Sequence, residues 1–267
     1  MRETKGVADM KKVAAEIVCD RFADGGWVST SVQLPGELEL TIYINQKELV
    51  TVLCTPTKLN FFVLGFLYGQ GVISSPDDVV VLRICDDEPI ADVRLRNTEY
   101  VLPVKRTITP GCGGGVIFQT TERKVESDLL TTPEVILSLM KQFLEKMDLY
   151  LQSGGVHTSA LADPEKFLIV TEDIGRHNTL DKILGECLVR EISTRDKLLF
   201  CTGRISSEML FKAAKMQTPI VVSRHSPTER AVSLARDLGI TLIGHARGGR
   251  LLVYSHPERL GRTAEVV

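Results

Sequence analysis

The stretch Thr109-Pro110-Gly111-Cys112-Gly113-Gly114-Gly115 sets one cysteine among four glycines. Glycine has no Cβ and adopts positive φ freely, so this loop can expose a sulfur and turn backbone N–H groups inward. Such groups favour thiolate over thiol, the form a nucleophilic sulfur requires. A flexible turn holding an incidental cysteine fits the same residues. Four further clusters could carry chemistry. Gly154-Gly155-Val156-His157-Thr158-Ser159 places an imidazole after a helix-ending glycine pair, to polarise a neighbour, bind an anion or cap the turn. Glu172-Asp173-Ile174-Gly175-Arg176-His177-Asn178 packs acids, an arginine and a histidine before a helix, with Asn178 expected as its cap; a salt-bridged, capped loop is the plainer reading. Thr202-Gly203-Arg204-Ile205-Ser206-Ser207-Glu208 reads as an anion cradle or as a helix with Ser206 at its N-cap. It has no Gly-Lys-Ser/Thr, which disfavours a P-loop NTPase. His245-Ala246-Arg247-Gly248-Gly249-Arg250 flanks two glycines with arginines, either to fork onto phosphates or as a Gly-Gly hairpin turn.

These clusters fall between regular elements. Residues 37–45 and 47–55 read as two strands around Asn45-Gln46, 58–68 as a short apolar helix, and 79–84, 91–96 and 99–107 as further strands. Thr132-Pro133 opens a helix whose apolar face continues through Leu151 until Ser153-Gly154-Gly155 ends it. From there strands at 167–171, 197–203, 219–224, 240–246 and 250–256 alternate with helices at 178–189, 207–216 and 229–238. The alternation predicts an α/β layered sheet with helices packed on it, preceded by a smaller β-rich N-terminal part. A division at 1–130 and 131–267 follows, with the Cys112 loop in the first part, although the two parts can share one core.

Composition bounds the function. The 267 residues carry 32 Lys+Arg against 34 Asp+Glu, which argues against a generic nucleic-acid binder. The opening MRETKGVADMKKVAAEIV lacks the apolar core of a secretory signal, and the most apolar stretch, 59–73, is too short to span a bilayer. We therefore expect a cytoplasmic protein without a membrane segment. None of the six cysteines forms C-x-x-C, so a ribbon or finger zinc site is not expected. Cys54, Cys187 and Cys201 lie inside apolar patterns and read as packing residues.

In order along the chain, ITPGCGGG, SGGVHTSAL, TEDIGRHNTLDKILG, CTGRISSEM, PIVVSRHSPT and GITLIGHARGGRLLVYSHPERL resemble the FdhD family of formate dehydrogenase accessory sulfurtransferases. The likeness runs from about residue 35 to the C-terminus. It implies a cytidine-deaminase-like fold without the deaminase zinc. It also implies a sulfur carrier that takes sulfur from a cysteine desulfurase as a persulfide. That sulfur passes to the molybdenum bis(molybdopterin guanine dinucleotide) cofactor of formate dehydrogenase, here a bound substrate. By position the persulfide falls on Cys112, and the cofactor-binding segment on His245, Ala246, Arg247, Gly248, Gly249 and Arg250. Family members look dimeric, which implies a homodimer. His157, Asp173, Arg176, His177 and Arg204 match family motifs without an assigned role. Many relatives carry C-x-x-C at the loop; here Cys112 is followed by three glycines, so a vicinal dithiol mechanism has no second thiol nearby. That departure motivates the alternative of a non-catalytic cofactor chaperone. A deaminase-like hydrolase would need zinc ligands that these spacings do not supply.

Overall fold

A computed structural model of the chain describes residues 12–85, 87–99, 107–108, 116–117 and 123–262. The chain opens with a hairpin absent from the sequence reading, β1 (Ala14–Ala23) and β2 (Gly26–Pro35), turned at Asp24-Gly25 with both φ positive. Next come β3 (Leu38–Ile44) and β4 (Lys47–Cys54), hinged at Asn45-Gln46 as expected, then α1 (Leu59–Gly69). β5 (Val79–Ile84) and β6 (Ile90–Leu95) complete a four-stranded sheet ordered β4-β3-β6-β5. Thr98 and Glu99 lie in a turn, and residues 100–106 of the strand expected at 99–107 fall outside the described residues. The two-residue strands β7 (Thr107–Ile108) and β8 (Val116–Ile117) pair antiparallel.

The helix expected to run unbroken to Ser153 is two helices, α2 (Pro133–Leu144) and α3 (Asp148–Ser153). The reason lies elsewhere in the chain: the Glu172 carboxylate accepts from the Leu149 and Tyr150 N–H groups and so starts a new helix at 148. Next is β9 (His157–Ala162), a strand the sequence reading lacked, followed by β10 (Phe167–Asp173). Then come α4 (Arg176–Val189), β11 (Leu198–Cys201), α5 (Ser207–Lys215), β12 (Ile220–Ser223), α6 (Glu229–Leu238), β13 (Thr241–Arg247) and β14 (Arg250–Ser255). The six strands from β9 onward form one sheet in the order β10-β9-β11-β12-β13-β14. Its two faces alternate. Leu161, Leu199, Cys201, Val221 and Leu242 join a core with α4, α5 and α6, while Ala160, Phe200, Ile220, Val222 and Ile243 join a core with α2. The architecture is thus mixed α/β with helices on both faces of the larger sheet.

A third core lies between the four-stranded sheet and α1. The outer side of α1 crosses α4 at two glycines. A Cβ on Gly65 would stand 1.8 Å from the Asp181 carbonyl oxygen, and one on Gly185 1.8 Å from that of Phe61. Only hydrogen at both positions lets the two backbones come this close, and the crossing welds the N-terminal β part to the larger sheet. Residues 123–130 pack on the later part: Val125 is buried among α4–α6 and its N–H donates to Leu238.

Candidate functional site

Sheet order decides where the polar clusters go. β10, β11, β12 and β13 end on the same edge of the sheet, and antiparallel β9 and β14 begin there. Asp173 lies opposite His157, Ser159 opposite Cys201, and Cys201 opposite Ser223. Four of the five clusters are thereby brought to one edge, the place where open α/β sheets gather ligands. The fifth, with Cys112, lies outside the described residues.

The corner at β10 and α4 is built on one ion pair. Lys182 Nζ stands 2.7 Å from Asp173 Oδ2, with both side chains fully buried. Asp173 also accepts from the N–H groups of Thr55 and Gly175 and from Asn178 Nδ2. Lys182 donates to the carbonyls of Thr55 and Glu172 and to Thr57 Oγ1. Asn178 is therefore no cap, contrary to expectation. The helix starts at Arg176, and the Asn178 amide bonds Asp173 and the Leu53 carbonyl instead. Ser206 does stand at the N-cap of α5, as expected, but makes no side-chain capping bond; its hydroxyl lies 3.3 Å from His177 Nε2.

Next to this corner stand two imidazoles held neutral. His177 is pushed down to about 3, first by burial, then by Arg176, Lys212 and His157. Its Nε2 also lies 3.3 Å from Glu208 Oε2. That distance would suit an ion pair, but the buried site and surrounding cations dominate, so the ring beside the carboxylate is neutral. His157 is lowered by burial, then by Arg176 and His225, against an opposing pull from Asp173. Gly203 closes the space between them: a Cβ there would sit 3.1 Å from His157 Nδ1 and 3.4 Å from the Arg176 Cβ.

The remaining strand ends are laced together. Ser223 Oγ donates to the Gly203 carbonyl and accepts from the His225 N–H, and the His245 N–H donates to the His225 carbonyl. Ser223, Arg224 and His225 were not singled out from sequence; their signal was the same pattern as the other clusters, a short apolar strand running into polar residues. Arg204 and His225 are exposed and Arg224 half-buried. Arg247 and Arg250 are exposed on either side of a Gly248-Gly249 turn with both φ positive, the hairpin reading of that segment. Ala246, expected in the binding segment, is fully buried in the α2-side core and presents no surface to a ligand. With Asp173 neutralised by Lys182, arginines outnumber carboxylates along this edge, which gives it a local excess of positive charge.

The three buried thiols behave differently from an activated one. Burial pushes Cys54, Cys187 and Cys201 up to about 12, so they are packing residues. Among the described residues no cluster of three or more His, Cys, Asp or Glu is placed to hold a metal ion, and no helix is long and apolar enough to cross a membrane. A surface recess of about 300 Å³ lined by Tyr68, Cys187, Ile192 and Lys215 lies at the far end of α4, away from this edge.

The fold and the edge together define a mixed α/β protein that presents cationic and neutral nitrogen groups at the strand ends of an open sheet. Sequence comparison sharpens that class: the FdhD/NarQ family matches residues 35–261, and the chain belongs to this family. It is similar to the sulfur carrier protein FdhD of Staphylococcus aureus strain MRSA252, with 39% identity over 248 residues, 90% of this chain and 94% of that one. The same-named protein of strain Newman is 38% identical over the same lengths. The crystal structure of a putative formate dehydrogenase accessory protein from Desulfotalea psychrophila superposes with a TM-score of 0.77 at 25% identity, covering 93% of this chain and all of that one.

Lys182→Met should cost about 3–5 kcal/mol of stability, because Asp173 is left buried without its counter-charge. Lys182→Met with Asp173→Asn should regain much of that in urea unfolding. His177 supplies a pH test. Its folded value lies below the unfolded 6.5, so its contribution is complete above pH 6.5 and is lost as pH falls toward 3. Asp181, raised by burial, acts in the opposite sense at acid pH. The difference between parent and His177→Gln in urea midpoints from pH 7 to 4 isolates the histidine, and the variant should fall less steeply.

Proposed function

We propose that this chain is a sulfur carrier for formate dehydrogenase maturation, acting through a persulfide on Cys112. In loading, the Cys112 thiolate attacks the outer sulfur of a cysteine desulfurase persulfide. A new S–S bond forms, the donor S–S bond breaks, and the donor leaves as a thiolate that takes up a proton. In delivery the Cys112 S–S bond breaks with its electron pair left on Cys112. The released sulfur takes two electrons from the reduced molybdenum of the bis(molybdopterin guanine dinucleotide) substrate and becomes its sulfido ligand. The observation that carries this reading is the anion-accepting edge, whose arginines suit the phosphates of two guanine dinucleotides. His245, Arg247, Arg250 and the backbone of Gly248 and Gly249 would hold one nucleotide arm, with Ala246 anchoring the segment in the core, and the 202–207 segment the other. Membership of a family whose members include named sulfur carriers supports it, as does the inert state of the buried cysteines. We take the chain to divide into a β-rich part, residues 1–130, and a cytidine-deaminase-like α/β part, residues 131–267, and the working form to be a cytoplasmic homodimer.

One observation favours a second reading. Cys112 is followed by three glycines and no second thiol, which suits a chaperone that delivers the cofactor without touching sulfur. Guanosine diphosphate binding and formate dehydrogenase activation, measured on the same variants, separate the two. Cys112→Ala should bind the nucleotide like the parent and activate nothing. Arg247→Ala with Arg250→Ala should weaken binding at least about tenfold, since hydrogen bonds to charged groups are lost. Activation retained by Cys112→Ala would establish the chaperone, and unchanged affinity in the arginine variant would remove the edge as the nucleotide site.

A further inference from the structure

The hairpin β1–β2 takes no part in the proposed chemistry, yet it carries the most conspicuous exposed apolar surface of the described residues. Its strands pair in register over ten residues each, from Ala14↔Pro35 to Ala23↔Gly26. Ile17, Val28, Val32 and Leu34 line one face with Cys19, Thr30 and Arg21, while the other carries Glu16, Asp20, Ser29, Ser31 and Gln33 together with Val18, Phe22 and Trp27. The apolar side chains on both faces are open: Val28 is 53% exposed and Leu34 44% on the first, and Trp27, tilted against Phe22 at the tip, 73% on the second. The hairpin meets the rest of the chain at its base, where Pro35 lies against Gly155, the Gly36 N–H donates to Val13, and β2 passes α3. A two-stranded ribbon is marginal in water and needs further strands against it.

The two outer edges differ. β1 carries Glu16, Asp20 and Arg21, whereas β2 reads Gly-Trp-Val-Ser-Thr-Ser-Val-Gln-Leu-Pro, with no charge and no proline before its last position. Charges and prolines are the devices by which exposed edges avoid pairing, and β2 has neither where it is open. Residues 28–32, Val-Ser-Thr-Ser-Val, also read the same in both directions about Thr30. A strand that pairs antiparallel with its own copy does so about a two-fold axis. An axis through Thr30 sets valine opposite valine, serine opposite serine and threonine opposite threonine, pairs that sheets favour. Among the described residues nothing but β1 pairs with β2. A lipid surface fits poorly, since Glu16, Asp20 and Asp24 outnumber Arg21.

We infer that the β2 edge is where two copies of this chain join, in a four-stranded sheet β1-β2-β2-β1 centred on Thr30. The inference rests on the homodimer of the proposed function and names its interface. Such an edge pair removes on the order of 1,000 Å² in total, the lower limit of a specific interface, so the dimer should dissociate in the micromolar range.

Sedimentation of the full chain at tens of micromolar tests it. The parent should be dimeric. Thr30→Lys and Thr30→Glu should each be monomeric, because like charges then face each other across the axis, and an equimolar mixture of the two should regain the dimer. Thr30 is half-exposed, and recovery in the mixture also shows that each variant is folded. A monomeric parent would overturn both the homodimer and this interface. Dimers that persist in either single variant, or monomers that fail to recombine, would overturn the interface and leave the homodimer standing.

Discussion

A charged pair with no access to water holds the working corner of this protein together. Removing two ions from solvent costs several kcal/mol each, and that cost is offset only if nearly every donor and acceptor finds a partner. Asp173 and Lys182 meet the condition by drawing on three separate parts of the chain: the 55–57 segment, the end of β10 and the first turns of α4. Lys182 can reach those acceptors because α1 and α4 cross on glycines, which brings the N-terminal β part close to the larger sheet. The position of His157, Arg176 and His177 follows from that closure. Loosening the pair would move the start of α4, and with it the nitrogen groups that face the edge.

Neutralising Asp173 also sets the electrostatics of the edge. The carboxylate best placed to pair with Arg176 and the imidazoles is already committed to Lys182, so the surrounding guanidinium groups dominate the local field. Burial first and that field second keep His157 and His177 uncharged, and the field would stabilise an anion, whether phosphate oxygen or thiolate. The buried cysteines lie beyond its benefit, because desolvation raises all three thiols far above neutrality. The proposed sulfur chemistry therefore calls for a cysteine outside the cores.

Strands 167–171, 219–224 and 250–256 were legible because each is a short apolar run closed by polar residues or glycine. β9 was not: His-Thr-Ser-Ala-Leu-Ala is small and polar, and its burial comes from neighbours on both faces rather than from its own hydropathy. β1–β2 escaped because its apolar side chains alternate on an exposed ribbon, even though Asp24-Gly25 is a strong turn signal. The break between α2 and α3 depends on Glu172, more than twenty residues away. The polar clusters were each legible as strand ends, but their convergence needed the order β10-β9-β11-β12-β13-β14, which no local pattern encodes. Thr55 and Lys182 were invisible for the same reason, since their partners lie 118 and 127 residues apart in sequence.

The central proposal is that one cysteine, Cys112, carries sulfur. Intact-mass measurement after incubation with a cysteine desulfurase and cysteine, followed by peptide mapping, tests it most directly. The account predicts a gain of one sulfur atom on the Cys112 peptide, reversed by thiol reductant and absent from Cys112→Ala. A protein that stays unmodified at Cys112 while still binding the guanine-nucleotide cofactor would contradict it.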